Sequence, residues 1–433
     1  MSKIIRKRKK NTQSIKKEEL ELLSKEELID RILQLKADNE ELCEKINKRR
    51  LQKGGKRSNR KSDRPFDFTR CRKRKILLKF YYLGWEHDGF VTQEDTQNTV
   101  ERYMFDALIK SCCIESRETS NYHRCGRTDK GVSAFSQVIS LEVRSILTPE
   151  NEGSLSKELR YCKIINRLLP PSIRCIAWCP IPNDFSARFD CKFRTYRYFF
   201  PQGNLDVEAM DKSIKYAIGD HDFRNICKMD VANGVVNFER TVKEARVSIS
   251  RRNNTNKLGY NMCELVIKSR AFLWHQIRCL MGVLLLVGQG KETPEVMQEL
   301  LDIDRCPRKP QYDLAHEIPL NLWHCEYEDR EWYIDEEEMQ YTIKSLQKEW
   351  SVHAIKTFMI ENMLSNLEET TKEDSLNSQT DCLLLGVQSK VYRPLMERLT
   401  CDSLERKIEH FEKKRKLEVV VQTTNVENRK ETE

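Results

Sequence analysis

No apolar run in this chain of 433 residues is long enough to cross a bilayer. The longest, "CLMGVLLLVG" (Cys279 to Gly288), spans half of the ~20 residues a membrane helix needs. Nothing at the N-terminus resembles a secretory leader either, because "MSKIIRKRKK" leads into more charge rather than an apolar segment. Zinc-ligand spacing is also scarce. Of 16 cysteines, Cys175 and Cys179 are the one close, non-adjacent pair, and no second pair complements them. These gaps exclude a membrane span and argue against export and against a structural zinc. So many cysteines without an export signal are expected to be reduced thiols, in the cytosol or nucleus.

What the chain has is charge, unevenly spread. The net +9 conceals an N-terminal arm, Met1 to Lys75, with 26 Lys and Arg against 12 Asp and Glu, or 26 − 12 = +14. The remainder carries 50 basic and 55 acidic residues, or −5. A basic arm on a mildly acidic body points to a polyanionic partner, a nuclear import receptor, or both.

Within the arm, Ser24 and Glu27 form a capping-box signature. Leu28, Leu35 and Leu42 then share one heptad position, and Ile32, Asn39 and Ile46 the other. The pattern fits a short parallel coiled coil or a lone amphipathic helix. "KGGKRSNRKSDRP" (Lys53 to Pro65) reads as a flexible basic linker.

The body opens with the strand "KILLKFYYLGW", then the helix "TQNTVERYMFDALIKSCCI", the strand "FSQVISLEVRS", a helix in "KELRYCKIINRLLP" and the strand "IRCIAWCPIP". A second, similar set follows. It comprises the strand "RTYRYFF", a helix near Met210 to Ile218, the strands "RTVKEARVSIS" and "NMCELVIKSR", a long helix from about Leu273 to Val287, and a short one at "PEVMQELLD". This recurrence predicts an α+β fold of two similar subdomains rather than a parallel doubly wound sheet. Beyond Trp332 come a charged helix, the polar stretch "EETTKEDSLNSQTD", and a last helix from Tyr392 to Leu417. The expected divisions are 1–74 (arm, heptad helix and linker), 75–182 and 183–335 (the two catalytic subdomains), and 336–433 (helical extension and tail).

Most of the chemistry is concentrated in "SNYHRCGRTDKGVSAFSQVISL" (Ser120 to Leu141). An arginine two residues before Asp129 favours its charged form, while Gly126 and Gly131 allow close approach of a ligand. Physics alone leaves Asp129 either a catalytic group or an ordinary turn aspartate. The flanking sequence decides. "CGRTDKGVSAFSQVISL" resembles the signature of the TruA family of tRNA pseudouridine synthases, most closely its eukaryotic branch acting at positions 38 and 39. "YYLGWEHDGFVTQEDTQNTVE", "DFSARFDCKFRTYRYFF" and "AFLWHQIRCLMGVLLLVGQG" match further family motifs in order. The resemblance covers roughly Lys75 to Tyr327, and "YRPLMERLTCDSLERKIEHF" extends it.

The resemblance implies a central RNA-binding cleft and no cofactor, because isomerisation needs neither electrons nor a donated group. It makes Asp129 the catalytic residue, starting the reaction either at C1′ or by removing the 2′ proton. Arg127 would support the gap left by the flipped nucleotide, and Tyr196 would stack on the uracil. Arg278 would pair with Asp129, and Phe272 and Leu273 would wall the extruded base. Phosphate contacts are expected from Arg124, Lys130, Arg188, Lys192, Arg194 and Arg197. The implied partners are the anticodon arm of tRNA and a second copy of the chain, with residence in nucleus and cytoplasm. The opening motif "YLGWEHDGF" departs from the bacterial form and leaves Trp85 and Gln93 without a role. A non-catalytic tRNA-binding protein of the same fold is the alternative, and the joint presence of Asp129, Arg127, Tyr196 and Arg278 argues against it.

Overall fold

A computed structural model describes residues 66–148, 151, 154–253, 258–370, 378–386 and 391–414. The heptads and the basic linker lie outside these residues. The described residues from Asp67 onward belong to one compact unit.

Among the described residues nine strands join in one sheet, in the order β4-β1-β3-β9-β5-β8-β7-β6, with the short β2 beside β3. The first half supplies β1 (Arg72–Tyr82), β2 (His123–Arg124), β3 (Ser133–Ser145) and β4 (Ile173–Pro180). The second supplies β5 (Phe193–Pro201), β6 (Gly219–Asp222), β7 (Glu239–Arg251), β8 (Met262–Ser269) and β9 (Leu320–Glu326). All pairings are antiparallel except the seam where the halves meet. There β3 runs parallel to β9, with Ala134 opposite Leu322. Leu322 in turn faces Tyr196 on β5, so a single row of residues crosses the seam.

The strands form where apolar and β-branched residues dominate, as in "KILLKFYY", whose Ile76, Leu77, Leu78 and Phe80 are fully buried. Helices α1 (Val100–Lys110) and α2 (Tyr161–Asn166) accompany the first half; α3 (Val207–Lys215), α4 (Gln276–Gly288) and α5 (Val296–Leu301) accompany the second. Every residue of α4 is buried, which explains its apolar composition on all sides. No described helix is long and apolar enough to cross a membrane. The 35-residue α6 (Glu336–Thr370) starts where Asp335 accepts hydrogen bonds from Arg160 and from the Glu338 backbone.

The elements depart from expectation in three places. Strands β2, β6 and β9 went unread, being short and flanked by polar residues without a clear period-2 signal. Helix α2 ends at Asn166, ahead of the prolines expected to stop it. The last helix begins at residue 404, not Tyr392: Pro394 introduces a 3₁₀ turn at Leu395–Glu397, and Thr400 makes an isolated bridge to Pro310 before the helix starts.

Candidate active site

Two loops from opposite halves face each other above the seam. One carries residues 125–132 into β3; the other carries residues 270–275 into α4. Between them lies a cleft of about 1190 Å³. Its lining includes nine lysines and arginines (Arg124, Arg127, Arg188, Lys192, Arg194, Lys228, Arg240, Arg270 and Arg278) against two aspartates, Asp129 and Asp230. Such a balance suits a phosphate backbone.

The first loop is pinned from below. Tyr82 Oη shares a 2.6 Å hydrogen bond with Thr128 Oγ1, and Gln137 Nε2 donates to the Gly126 carbonyl at 3.2 Å. From the side, the Phe90 amide donates to the Thr128 carbonyl, and the Gly131 amide donates to that of His87. This gives the "GWEHDGF" stretch its purpose. Gly84 packs so closely that an added Cβ would lie 1.9 Å from the Val132 carbonyl oxygen. Gly89, at φ +96°, lies against the backbone of residues 128–130. Gln93 donates to the Asp88 carbonyl and steadies the same turn, and Trp85 meets His353 of α6 edge-on.

Asp129 stands on the cleft wall with a third of its side chain exposed. Its Oδ2 lies 3.3 Å from Nε2 of His275. Burial, then the cationic field of Arg278, Lys228 and Lys309, depresses the His275 pKa to about 4. The contact is therefore a close approach of a neutral imidazole to the carboxylate, not an ion pair. His275 is left-handed (φ 57°) at the N-terminus of α4, which aims its ring back toward the first loop. Burial raises the Asp129 carboxyl above the ordinary aspartate value; Arg278, a hydrogen bond from Trp274, and Lys228 pull it down, and Glu317 opposes them.

The expected direct pair between Arg278 and Asp129 is not formed. Arg278 Nη2 bonds Glu317 Oε2 at 2.8 Å, and its Nε donates to the Ala315 carbonyl at 2.8 Å. A buried guanidinium needs such partners, and Glu317 reaches it first. Arg278 thus acts on Asp129 through its field rather than by contact. Tyr196 is buried in the floor of the cleft, edge-on to Phe272 at 5.2 Å, with Leu273 alongside in the lining. Burial holds its phenol well above the usual value, and so protonated. Arg127 is exposed and has no hydrogen-bond or ion-pair partner among the described residues.

The candidate phosphate contacts divide. Arg188 is exposed, with no side-chain hydrogen bond or ion pair. Arg124 is held by buried Glu101 at 2.8 Å, and Lys192 by exposed Glu328 at 3.0 Å. Arg194 is spent on structure, its guanidinium donating to the carbonyls of Cys125, Arg188 and Arg270. Arg197 falls on the opposite sheet face, paired with Glu264 and lying over Trp323, because residues alternate along a strand. Lys130 points away from the cleft to Asp88 at 2.8 Å.

Sequence reading gave no role to His275, Trp274, Lys228 or Glu317. The first two were visible inside "AFLWHQIRC", but their partners come from distant segments. Spacing likewise gave no sign of Cys125, Cys191 and Cys325, whose sulfurs converge within 4.8 Å beneath the first loop. Burial alone would raise the Cys125 thiol; hydrogen bonds shared with Cys191 and Cys325, with Arg194 nearby, hold it well below its usual value instead.

Residues 214–328 match a family model described as tRNA pseudouridine synthase. The chain is 44% identical to the human tRNA pseudouridine(38/39) synthase, covering 83% of this chain and 81% of that protein. It is 41% identical to the Saccharomyces cerevisiae protein of the same name, over 71% of this chain and 72% of the relative. A tRNA pseudouridine synthase A of Methanothrix thermoacetophila is 29% identical over 68% of this chain and 99% of its own length. The human match spans 388 aligned residues and more than four-fifths of each chain, and on this ground the chain belongs to the TruA family of tRNA pseudouridine synthases.

Proposed function

We propose that this isomerase converts uridines 38 and 39 in the anticodon arm of tRNA to pseudouridine, with Asp129 starting the cleavage of the uracil–ribose bond. The observation that carries the assignment of Asp129 is its setting. The Asp129 carboxylate, 3.3 Å from neutral His275, faces a cationic cleft floored by Tyr196 and Phe272. The positions follow the names of the human and yeast relatives.

In the reaction the bond from C1′ to N1 breaks, the uracil turns, C5 bonds to C1′, the proton on C5 leaves, and N1 takes up a proton in its place. Atoms and electrons balance without a cofactor. Charged Asp129 either attacks C1′ or takes the 2′ proton, and its raised affinity for protons serves both routes. Tyr196 stacks on the uracil; its protonated phenol suits a hydrogen-bond donor better than a base for C5. Phe272 and Leu273 shield the base from water, and uncommitted Arg127 fills the space the nucleotide vacates. Arg278, anchored by Glu317, biases Asp129 toward its charged form. Arg188 and Lys192 hold phosphates, and Arg124 follows if Glu101 shares it.

We further propose a homodimer. On α6, Val352, Ile355, Met359, Met363 and Leu367 form an exposed stripe at helical spacing, which a second copy would cover. The +14 arm supports residence in the nucleus as well as the cytoplasm.

The test of the catalytic assignment is Asp129→Ala in the full chain. It should bind an unmodified tRNA transcript within about threefold of wild type and form no pseudouridine. Measurable turnover by this variant would refute the role of Asp129.

A further inference from the structure

Phe189 is 75% exposed, more than any other aromatic residue among those described. An apolar ring in water on a mobile loop would need no explanation, but this loop is fixed. Ser186 Oγ accepts from the amides of Arg188 and Phe189, and Asp190 Oδ2 accepts from the Ser186 amide at 2.7 Å. The Asp190 amide donates to the Ser186 carbonyl, and Arg194 holds the Arg188 carbonyl at 2.8 Å. The backbone thus presents the ring rigidly to solvent.

The ring stands between two hollows. It lines the active-site cleft and also a neighbouring cavity of about 550 Å³, shared with His123, Tyr122 and three arginines. His123 meets it edge-on at 6.3 Å, and the Arg188 guanidinium lies 5.3 Å from its centroid. Arg117 and Arg124 in that cavity are both tied to Glu101. Arg188 is left as the cation without a carboxylate. An exposed aromatic face beside one uncommitted cation is the combination that holds a nucleotide in single-stranded RNA: ring on base, cation on phosphate.

We infer that Phe189 and Arg188 form a second nucleotide subsite, which takes an unpaired nucleotide of the same tRNA outside the target uridine, its base stacked on Phe189 and its phosphate against Arg188. The inference rests on tRNA being the substrate. The ring belongs to neither the Asp129 loop nor the Tyr196 floor, so its work is in binding and register rather than in bond cleavage.

The test uses the full chain and tRNA transcripts carrying single abasic nucleotides through the anticodon arm. Phe189→Ala should weaken binding of intact tRNA about tenfold or more, and Phe189→Trp should restore it, with kcat at saturating tRNA unchanged in both. One abasic position should weaken wild type but leave Phe189→Ala no weaker than it already is. Arg188→Gln should reduce the salt dependence of binding by about one phosphate. Wild-type affinity in Phe189→Ala, or equal abasic losses in both proteins at every position, would overturn the subsite. Failure of wild type itself to make pseudouridine would instead overturn the substrate assignment, and the wild-type control reads that separately.

Discussion

Asp129 works in the form that its surroundings penalise. Its pKa is raised in the fold, so the native state binds the proton more tightly than the unfolded chain, and ionisation costs stability as pH rises through the native value. Activity moves the other way, because the charged carboxylate is the reactive form. Lys228, whose amide donates to the Trp274 carbonyl of the second loop, eases that conflict. Lys228→Met removes one of the charges that lower the Asp129 pKa, so the acid limb of the kcat/KM profile should move to higher pH while its alkaline limb stays in place. An unmoved acid limb would mean that Lys228 does not reach Asp129 electrostatically. That field was illegible in the sequence. "GRTD" suggested a partner for Asp129 among nearby arginines, and the resemblance suggested Arg278. The residue that takes Arg278, Glu317, sits in an unpatterned stretch 39 positions further on, and only folding brings it there.

At the scale of elements, the strands and helices that build the site were readable where their apolar period was strong. "FSQVISLEVRS" and "CLMGVLLLVG" announced β3 and α4 because both are buried over most of their length. The pieces that were not readable carry mixed polar residues: β9, which closes the seam, and the turn of residues 84–90, which carries the Asp129 loop. That turn depends on contact distance rather than on pattern. Gly84→Ala places a methyl group 1.9 Å from the Val132 carbonyl oxygen, where backbone must move to admit it. The expected result is a folded protein, destabilised by about 1–3 kcal/mol, with kcat down about 100-fold from misplacement of Asp129. Thermal unfolding and single-turnover rates read the two effects separately. A kcat within threefold of wild type would show that the turn does not set the position of the aspartate.

For the whole molecule, charge divides the labour. The body is mildly acidic overall yet gathers lysines and arginines on its cleft, while the arm holds a net +14. Composition showed the arm but not the cleft, since a charge total says nothing of which face its members share. Deleting Met1 to Lys61 should leave turnover at saturating tRNA intact and weaken tRNA affinity or nuclear entry; unchanged affinity and unchanged distribution together would remove both proposed roles of the arm. The central claim is that Asp129 directs pseudouridine formation to two adjacent positions of tRNA. The most direct measurement is nucleotide-resolution pseudouridine mapping on tRNA from cells lacking this protein, complemented with the wild-type chain or with Asp129→Ala. Wild type should restore pseudouridine at positions 38 and 39 alone and Asp129→Ala should restore none. Restoration by the variant, or modification at other positions instead, would contradict the account.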